Sequence, residues 1–217
     1  MFRTPQKKVE SEQIPQTDIQ QTFTTQAQIL QDLNKYEKKY SMCSPLANEY
    51  AECRIKGGKS CNFTKGGDEA TFERAMEFKK REIEALKEGK DGTHLGLGSN
   101  YQKVVVKAED LKTEEDFSSK VDNANHSLVT FPVTYPDGTK DTHQVYIGKK
   151  SNTDKKNCVY FDANRKGGEG FGTCQDVYNL FFRTIKENTI TDGSRPVIIA
   201  SSNAEIKEHV KCIQKNA

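Results

Sequence analysis

The sequence lacks the features that mark membrane-embedded and nucleic-acid-binding proteins. No apolar run reaches the ~20 residues that a membrane-spanning helix needs, so no integral membrane segment is predicted. Neither sign of charge dominates, because 33 Lys and Arg oppose 31 Asp and Glu for a net charge of +2. Proteins that bind phosphate backbones carry a basic excess. Nucleic acid is therefore not an expected partner.

The cysteines do not show the spacing of a metal site. No C-x-x-C pair occurs, so we expect no structural zinc, and no motif points to a cofactor. The N-terminus has no apolar segment typical of a secretory signal peptide. We therefore predict a reducing environment, with five of the six cysteines as small buried hydrophobic residues: Cys53, Cys61, Cys158, Cys174 and Cys212.

Apolar periodicity divides the chain into a tail and one domain. Residues 1–25 are polar and predict a flexible tail; residues 26–217 predict a single domain. Its first part reads as helices, starting near Ala27, Ser44 and Asp68. The helix from Asp68 to Glu88 has an apolar stripe that we expect to face the core: Phe72, Met76, Ile83 and Leu86.

The second half changes to strand patterns. Strands are predicted at 104–106, 127–135, 142–147, 158–161 and 195–200, and helices at 113–121, 175–185 and 204–214. Thr113 and Asp116 form a possible capping pair. Residues 167–172 hold four glycines. Helices followed by a mainly antiparallel sheet indicate the α+β class.

Three residues have the order and local context of a thiol-dependent catalytic site. Cys43 precedes Pro45 at a predicted helix start, where the helix dipole favours a thiolate. His143 begins a predicted strand after the turn at 136–139. Asp162 ends the strand C-V-Y-F-D. A hairpin would place His143 beside Asp162. We therefore predict Cys43 as the nucleophile, His143 as the base and Asp162 as the carboxylate that orients the base.

Other cysteines and histidines compete for these roles. Cys53 is the reserve nucleophile, although it lies late in its helix, where the dipole opposes a thiolate. His126 is the rival base, because it also opens a strand. His94 and His209 are predicted to be surface residues without a role.

Three stretches of the second half carry a resemblance to a known family. They are H-Q-V-Y-I-G from His143, V-Y-F-D-A-N-R-K-G-G-E-G-F through Asp162, and V-Y-N-L-F-F in the predicted aromatic helix. Together they resemble the YopT-type cysteine proteases. These are bacterial effectors with a papain-like fold. Cys43-Ser44-Pro45-Leu46 resembles the C-x-x-L start of the family's catalytic helix. Ala163 stands where the family has proline. The resemblance implies a papain-like α+β hydrolase that cleaves a host protein through a thioester, with Cys43, His143 and Asp162 as its triad.

The oxyanion hole departs from the usual papain-like pattern. Residues 37–42 contain no Gln or Asn to donate a hydrogen bond, and Asn34 is the nearest candidate, followed by Gln31. Two alternatives stay open: a deamidase or transglutaminase with the same triad, and a catalytically inactive papain-like interaction module. An effector of this kind would leave a bacterium without a cleavable signal peptide and act in the host cytoplasm; otherwise it would be cytoplasmic.

Overall fold

The computed structural model describes residues 42–57, 69–134, 138, 140–165, 168–189 and 195–207. Within these ranges the α-helices are α1 (Cys43–Lys56), α2 (Glu69–Lys87), α3 (Glu114–Val121) and α4 (Cys174–Thr189), with 3-10 turns at Leu95–Leu97 and Ala108–Asp110. No helix of the described part is long and apolar enough to span a membrane. The predicted tail 1–25, the helix from Ala27 and His209 lie outside these ranges.

Six strands form one antiparallel sheet. They are β1 (Gln102–Lys107), β2 (His126–Thr134), β3 (Lys140–Lys149), β4 (Asn157–Phe161), β5 (Glu169–Thr173) and β6 (Pro196–Ser202). Their order across the sheet is β1-β6-β2-β3-β4-β5, and every pairing is antiparallel. The predicted α+β class, with an N-terminal helical layer on an antiparallel sheet, is confirmed.

The two faces of the sheet carry separate cores, because successive side chains of a strand point to opposite faces. Tyr146 and Phe161 pack with Tyr50 of α1 on one face. Val145 and Ile147 pack with Phe181 of α4 on the other. Full burial of such a side chain contributes about 1.5–3 kcal/mol. The helix that starts at Cys43 is therefore fixed on the sheet through its apolar face.

Helix α2 turns a different face to the core than its apolar stripe predicts. Ile83 and Leu86 are 46% and 76% exposed, whereas Ala75 and Phe78 are buried. The same face of the helix continues through the partly buried Glu82, whose carboxylate accepts a hydrogen bond from Ser44 Oγ at 2.6 Å. Because this face carries a charged residue, the pattern of apolar residues did not indicate that it faces the core. The prediction that Ile83 and Leu86 face the core is wrong.

Strand β5 covers most of the glycine-rich stretch 167–172, to which the sequence pattern assigned no element. Its glycines fit close packing: a Cβ on Gly170 would lie 2.3 Å from the Tyr160 ring, so no larger residue fits there without a shift. Glycine in a strand marks such close approaches. The helix predicted at 204–214 is also wrong for its described part, residues 204–207, which have no regular structure.

Candidate active site

Cys43 is the first residue of α1 and is 7% exposed. Its Sγ lies 3.8 Å from the backbone oxygen of Thr142, which precedes His143 on β3. No acidic residue occupies the first turn of α1. The free N–H groups of that turn make it an electropositive place, which favours the thiolate form of a cysteine.

His143 and Asp162 form a buried pair across neighbouring strands. The Nε2 atom of His143 lies 2.7 Å from Asp162 Oδ1, and the two residues are 4% and 3% exposed. Asp162 directly follows β4, which pairs with β3. Cys43 acts on the same ring, where it contributes to a raised pKa of His143. The structure thus brings together the three residues selected from the sequence.

The pair favours a charged imidazole. Burial lowers the pKa of His143, but the hydrogen bonds with Asp162 and Cys43 outweigh it and raise that pKa to about 10. Burial raises the pKa of Asp162, whereas the bond and charge of His143 lower it, with a net lowering. An imidazolium held between a carboxylate and a thiolate is the ion pair that activates a cysteine nucleophile.

The Asp162 carboxylate has two further contacts that the sequence did not reveal. Its Oδ1 accepts a bond from the Asn164 backbone N–H at 2.9 Å, and its Oδ2 accepts one from Arg165 Nε at 3.2 Å. Arg165 also donates to Thr184 Oγ1 at 3.1 Å and lies over the Phe181 ring. The i,i+3 spacing of Asp162 and Arg165 in one turn is the signal that could have identified this contact.

The Asn164 side chain reaches the second nitrogen of His143. Its amide nitrogen lies 3.3 Å from His143 Nδ1. Asn164 is itself exposed, so the Nδ1 side of the ring lies near solvent. Because Nε2 bonds Asp162, Nδ1 is the nitrogen left to pair with the Cys43 thiolate in the charged state, and the Asn164 amide borders that position.

A buried amide cluster fixes α1 relative to β3. Asn48 is fully buried, donates to the Thr93 carbonyl at 2.9 Å and accepts from the Gly96 N–H at 2.7 Å. Gln144, next to His143, donates to the same Thr93 carbonyl at 2.9 Å. Because Asn48 lies on the helix of Cys43 and Gln144 on the strand of His143, these bonds set the distance between the two elements.

The rival base His126 is held in the fold by hydrogen bonds at both of its ring nitrogens. Its Nδ1 lies 2.7 Å from the Tyr146 hydroxyl and its Nε2 lies 3.1 Å from the Ala204 carbonyl. Burial lowers the pKa of His126 to about 4, so the ring is neutral near pH 7. His94 is also not the surface residue predicted: it is 1% exposed, with Nδ1 3.3 Å from Asp91 Oδ2.

The cysteines are not all reduced thiols, in contrast to the sequence prediction. Cys158 and Cys174 are buried as predicted, but they form a disulfide between β4 and the start of α4. Cys53 is disulfide-bonded as well, which excludes it as the reserve nucleophile. Among the described residues, Cys43 is the only cysteine outside a disulfide.

The predicted oxyanion donor Asn34 and its substitute Gln31 lie outside the described residues. A cleft of about 500 Å³ is lined by Tyr101, Asn123 and Asn203 and includes none of the three site residues. The described part of the chain holds no group of three His, Cys, Asp or Glu side chains that could bind a metal ion.

Comparisons with known proteins add one structural likeness. No protein-family model matches the chain, and no curated protein matches it. The crystal structure of Pseudomonas avirulence protein AvrPphB is similar to this one with a TM-score of 0.47 and 12% sequence identity. The similarity covers 78% of this chain and 93% of that chain. The function therefore has to be derived from the site residues themselves.

Proposed function

We propose that this chain is a papain-like cysteine protease of the YopT type, with Cys43, His143 and Asp162 as its triad. The observation that carries the proposal is the position of His143. It lies between the Asp162 carboxylate, 2.7 Å from Nε2, and the thiol at the start of α1, whose Sγ lies 3.8 Å from the carbonyl oxygen of Thr142, the residue before His143. A disulfide would block that thiol, and Cys43 is not in one.

Each residue has a defined role in the proposed reaction. The Cys43 thiolate attacks the substrate carbonyl carbon, and the imidazolium of His143 protonates the leaving amine, which leaves a thioester on Cys43. His143, now neutral, takes a proton from water as the water oxygen attacks the thioester carbon; the C–S bond breaks, which releases the acid and restores the Cys43 thiolate beside the charged imidazole. Asp162 holds the ring and stabilises its positive charge. The Cys43 backbone N–H and Asn34 are the proposed oxyanion donors.

The substrate class follows from the resemblance of the His143 and Asp162 segments to the YopT type. It favours a protein substrate in a host cell, reached after export from a bacterium without a cleavable signal peptide. A deamidase or transglutaminase would form the same thioester and differ only in the attacking group. The mass of the product distinguishes them, since cleavage shortens the chain and deamidation leaves it intact.

The decisive experiment measures the reactivity of Cys43 directly. The native protein is treated with iodoacetamide at mildly acidic pH, and alkylation at each cysteine is followed by peptide mass spectrometry. We expect Cys43 to react fastest, and His143→Ala to slow its alkylation markedly because the ion pair is lost. His126→Gln, which removes a buried histidine elsewhere, is the matched control and should leave the rate unchanged.

Turnover on a proteome-derived peptide library is the second readout. Cys43→Ala and His143→Ala should each nearly abolish cleavage, and Asp162→Ala should lose less, because Asp162 acts through His143. If Cys43 alkylates slowly in the wild type and at the same rate in His143→Ala, the inactive interaction module is favoured instead.

A further inference from the structure

Strand β5 presents unused backbone groups at one edge of the sheet. Among the described residues it pairs only with β4. The Asp162 N–H donates to the Gly168 carbonyl at 2.9 Å, and the Cys174 N–H donates to the Lys156 carbonyl at 2.8 Å. In an antiparallel ladder, hydrogen-bonded and non-hydrogen-bonded pairs alternate. The bonded positions on β5 are therefore the even-numbered ones.

The odd-numbered positions of β5 consequently point their N–H and C=O groups away from β4. These positions are Glu169, Phe171 and Thr173, and no described turn or loop residue makes a backbone bond to Glu169 or Phe171. The edge thus offers three donors, and the carbonyls of Glu169 and Phe171 as two acceptors, at two-residue intervals, because the Thr173 carbonyl accepts the first hydrogen bond of α4. Such spacing is the pattern that an added strand needs.

The side chain of Phe171 lies at the same edge and is 57% exposed. Its partner across the ladder is Val159, which packs against the core beneath α1. Glu169, on the same face of β5, accepts a hydrogen bond from Tyr50 of α1. Phe171 therefore extends the apolar layer under the helix of Cys43 to the open edge of the sheet.

The edge begins at the candidate active site. Gly168, one residue before β5, binds the backbone N–H of Asp162, whose carboxylate holds His143. A peptide that continues along this edge would consequently leave the site at the end of the sheet where His143 and Asp162 lie.

We propose that the β5 edge docks an extended segment of the protein substrate as an additional strand, with an apolar substrate side chain against Phe171. The docked segment is separate from the bond that is cut, so the edge acts as an exosite. The exposed carboxylates of Glu169 and Asp176 flank the edge and disfavour acidic residues in the segment. This inference rests on the proposed protease function and names how its substrate is held.

Proline at position 171 tests the backbone contribution. The Phe171 N–H points away from β4, and proline has no backbone N–H. Phe171→Pro therefore removes one donor from the docking edge and leaves the hydrogen bonds to β4 intact. Phe171→Glu keeps the backbone and replaces the apolar contact with a third negative charge. Val105→Ala, which truncates a valine that is 60% exposed on the opposite edge strand, is the control.

We expect both Phe171 variants to lower kcat/KM on the peptide library by about tenfold, with the iodoacetamide rate of Cys43 unchanged. Val105→Ala should cleave like the wild type. Thermal unfolding identifies any Phe171→Pro protein that fails to fold, and Phe171→Glu then decides the result.

Three outcomes would overturn the docking site. Wild-type cleavage by both folded Phe171 variants would show that the edge is not used. A wild-type dimer that Phe171→Glu dissociates in size-exclusion chromatography would assign the edge to a second copy of the chain. A wild-type protein with unreactive Cys43 and no cleavage would remove the proposed function, and the docking site with it.

Discussion

Asp162 depends on its neighbours to remain ionised while buried. A buried carboxylate is costly unless charged or hydrogen-bonding groups surround it. The His143 ring, the Asn164 backbone N–H and the Arg165 guanidinium supply those groups. Arg165 is in turn held by Thr184 of α4. The orientation of the His143 ring therefore depends on a residue that does not touch it.

Arg165→Gln should reduce kcat/KM by about tenfold, because a hydrogen bond to a charged group that orients His143 is lost. Arg165→Lys keeps the charge but cannot bond Asp162 and Thr184 through two separate nitrogens, as Arg165 does, so it should recover part of the activity. Kinetics on the peptide library and the alkylation rate of Cys43 measure both. Arg183, exposed on α4, provides the control Arg183→Gln. Equal losses in Arg165→Gln and Arg183→Gln would exclude this role.

The charges of His143 and Asp162 also predict how stability depends on pH. The pKa of His143 is raised to about 10 in the folded protein, so its contribution is complete below about pH 6.5 and is lost as pH rises towards 10. The pKa of Asp162 is lowered, so its contribution is present above about pH 3.9 and is lost as pH falls through the folded value.

His143→Gln should therefore destabilise the protein most between about pH 4 and pH 6.5. Urea unfolding of the wild type and the variant at pH 3, 5.5 and 10 measures the difference. A difference in unfolding free energy as large at pH 10 as at pH 5.5 would mean that His143 is not charged in the folded protein.

At the scale of elements, the loop before β1 holds α1 in place. Gly96 approaches the helix so closely that a Cβ would lie 2.1 Å from the Asn48 carbonyl oxygen. Gly96→Ala should therefore push the loop from α1 and destabilise the fold by about 1–3 kcal/mol. Gly172→Ala, whose Cβ would meet its nearest atoms at 3.8 Å, is the control. Urea unfolding compares the two, and equal stability would contradict the close contact.

The same elements show what the sequence could predict. Runs of β-branched and aromatic residues predicted the strands that carry His143 and precede Asp162, and the Thr113–Asp116 pair predicted the capping box that begins α3. These signals are local. The glycines of β5 conceal a strand because the reason for them is the Tyr160 ring of another strand. The burial of His94 likewise depends on distant packing.

For the whole molecule, the Cys158–Cys174 disulfide connects the site to the second core. It closes a segment with a sequence separation of 16 residues that contains Asp162, Arg165 and β5. No pattern of cysteine spacing revealed this pairing, because it depends on β4 and β5 lying side by side. Disulfides persist in oxidising compartments and are rare in the cytosol. This disulfide therefore argues against the proposed host-cytoplasmic location.

Reduction of this disulfide should loosen the segment that positions Asp162. A closed loop of about 15 residues contributes ~3 kcal/mol in the chain-entropy account, so the double variant Cys158→Ser/Cys174→Ser should unfold at lower urea concentration than the wild type. Its Cys43 should also alkylate more slowly, since Asp162 would hold His143 less firmly. Non-reducing peptide mapping of the native protein provides the direct check. Recovery of Cys158 and Cys174 as free alkylated thiols from oxidised native protein would contradict the crosslink, and with it the expected loss of stability.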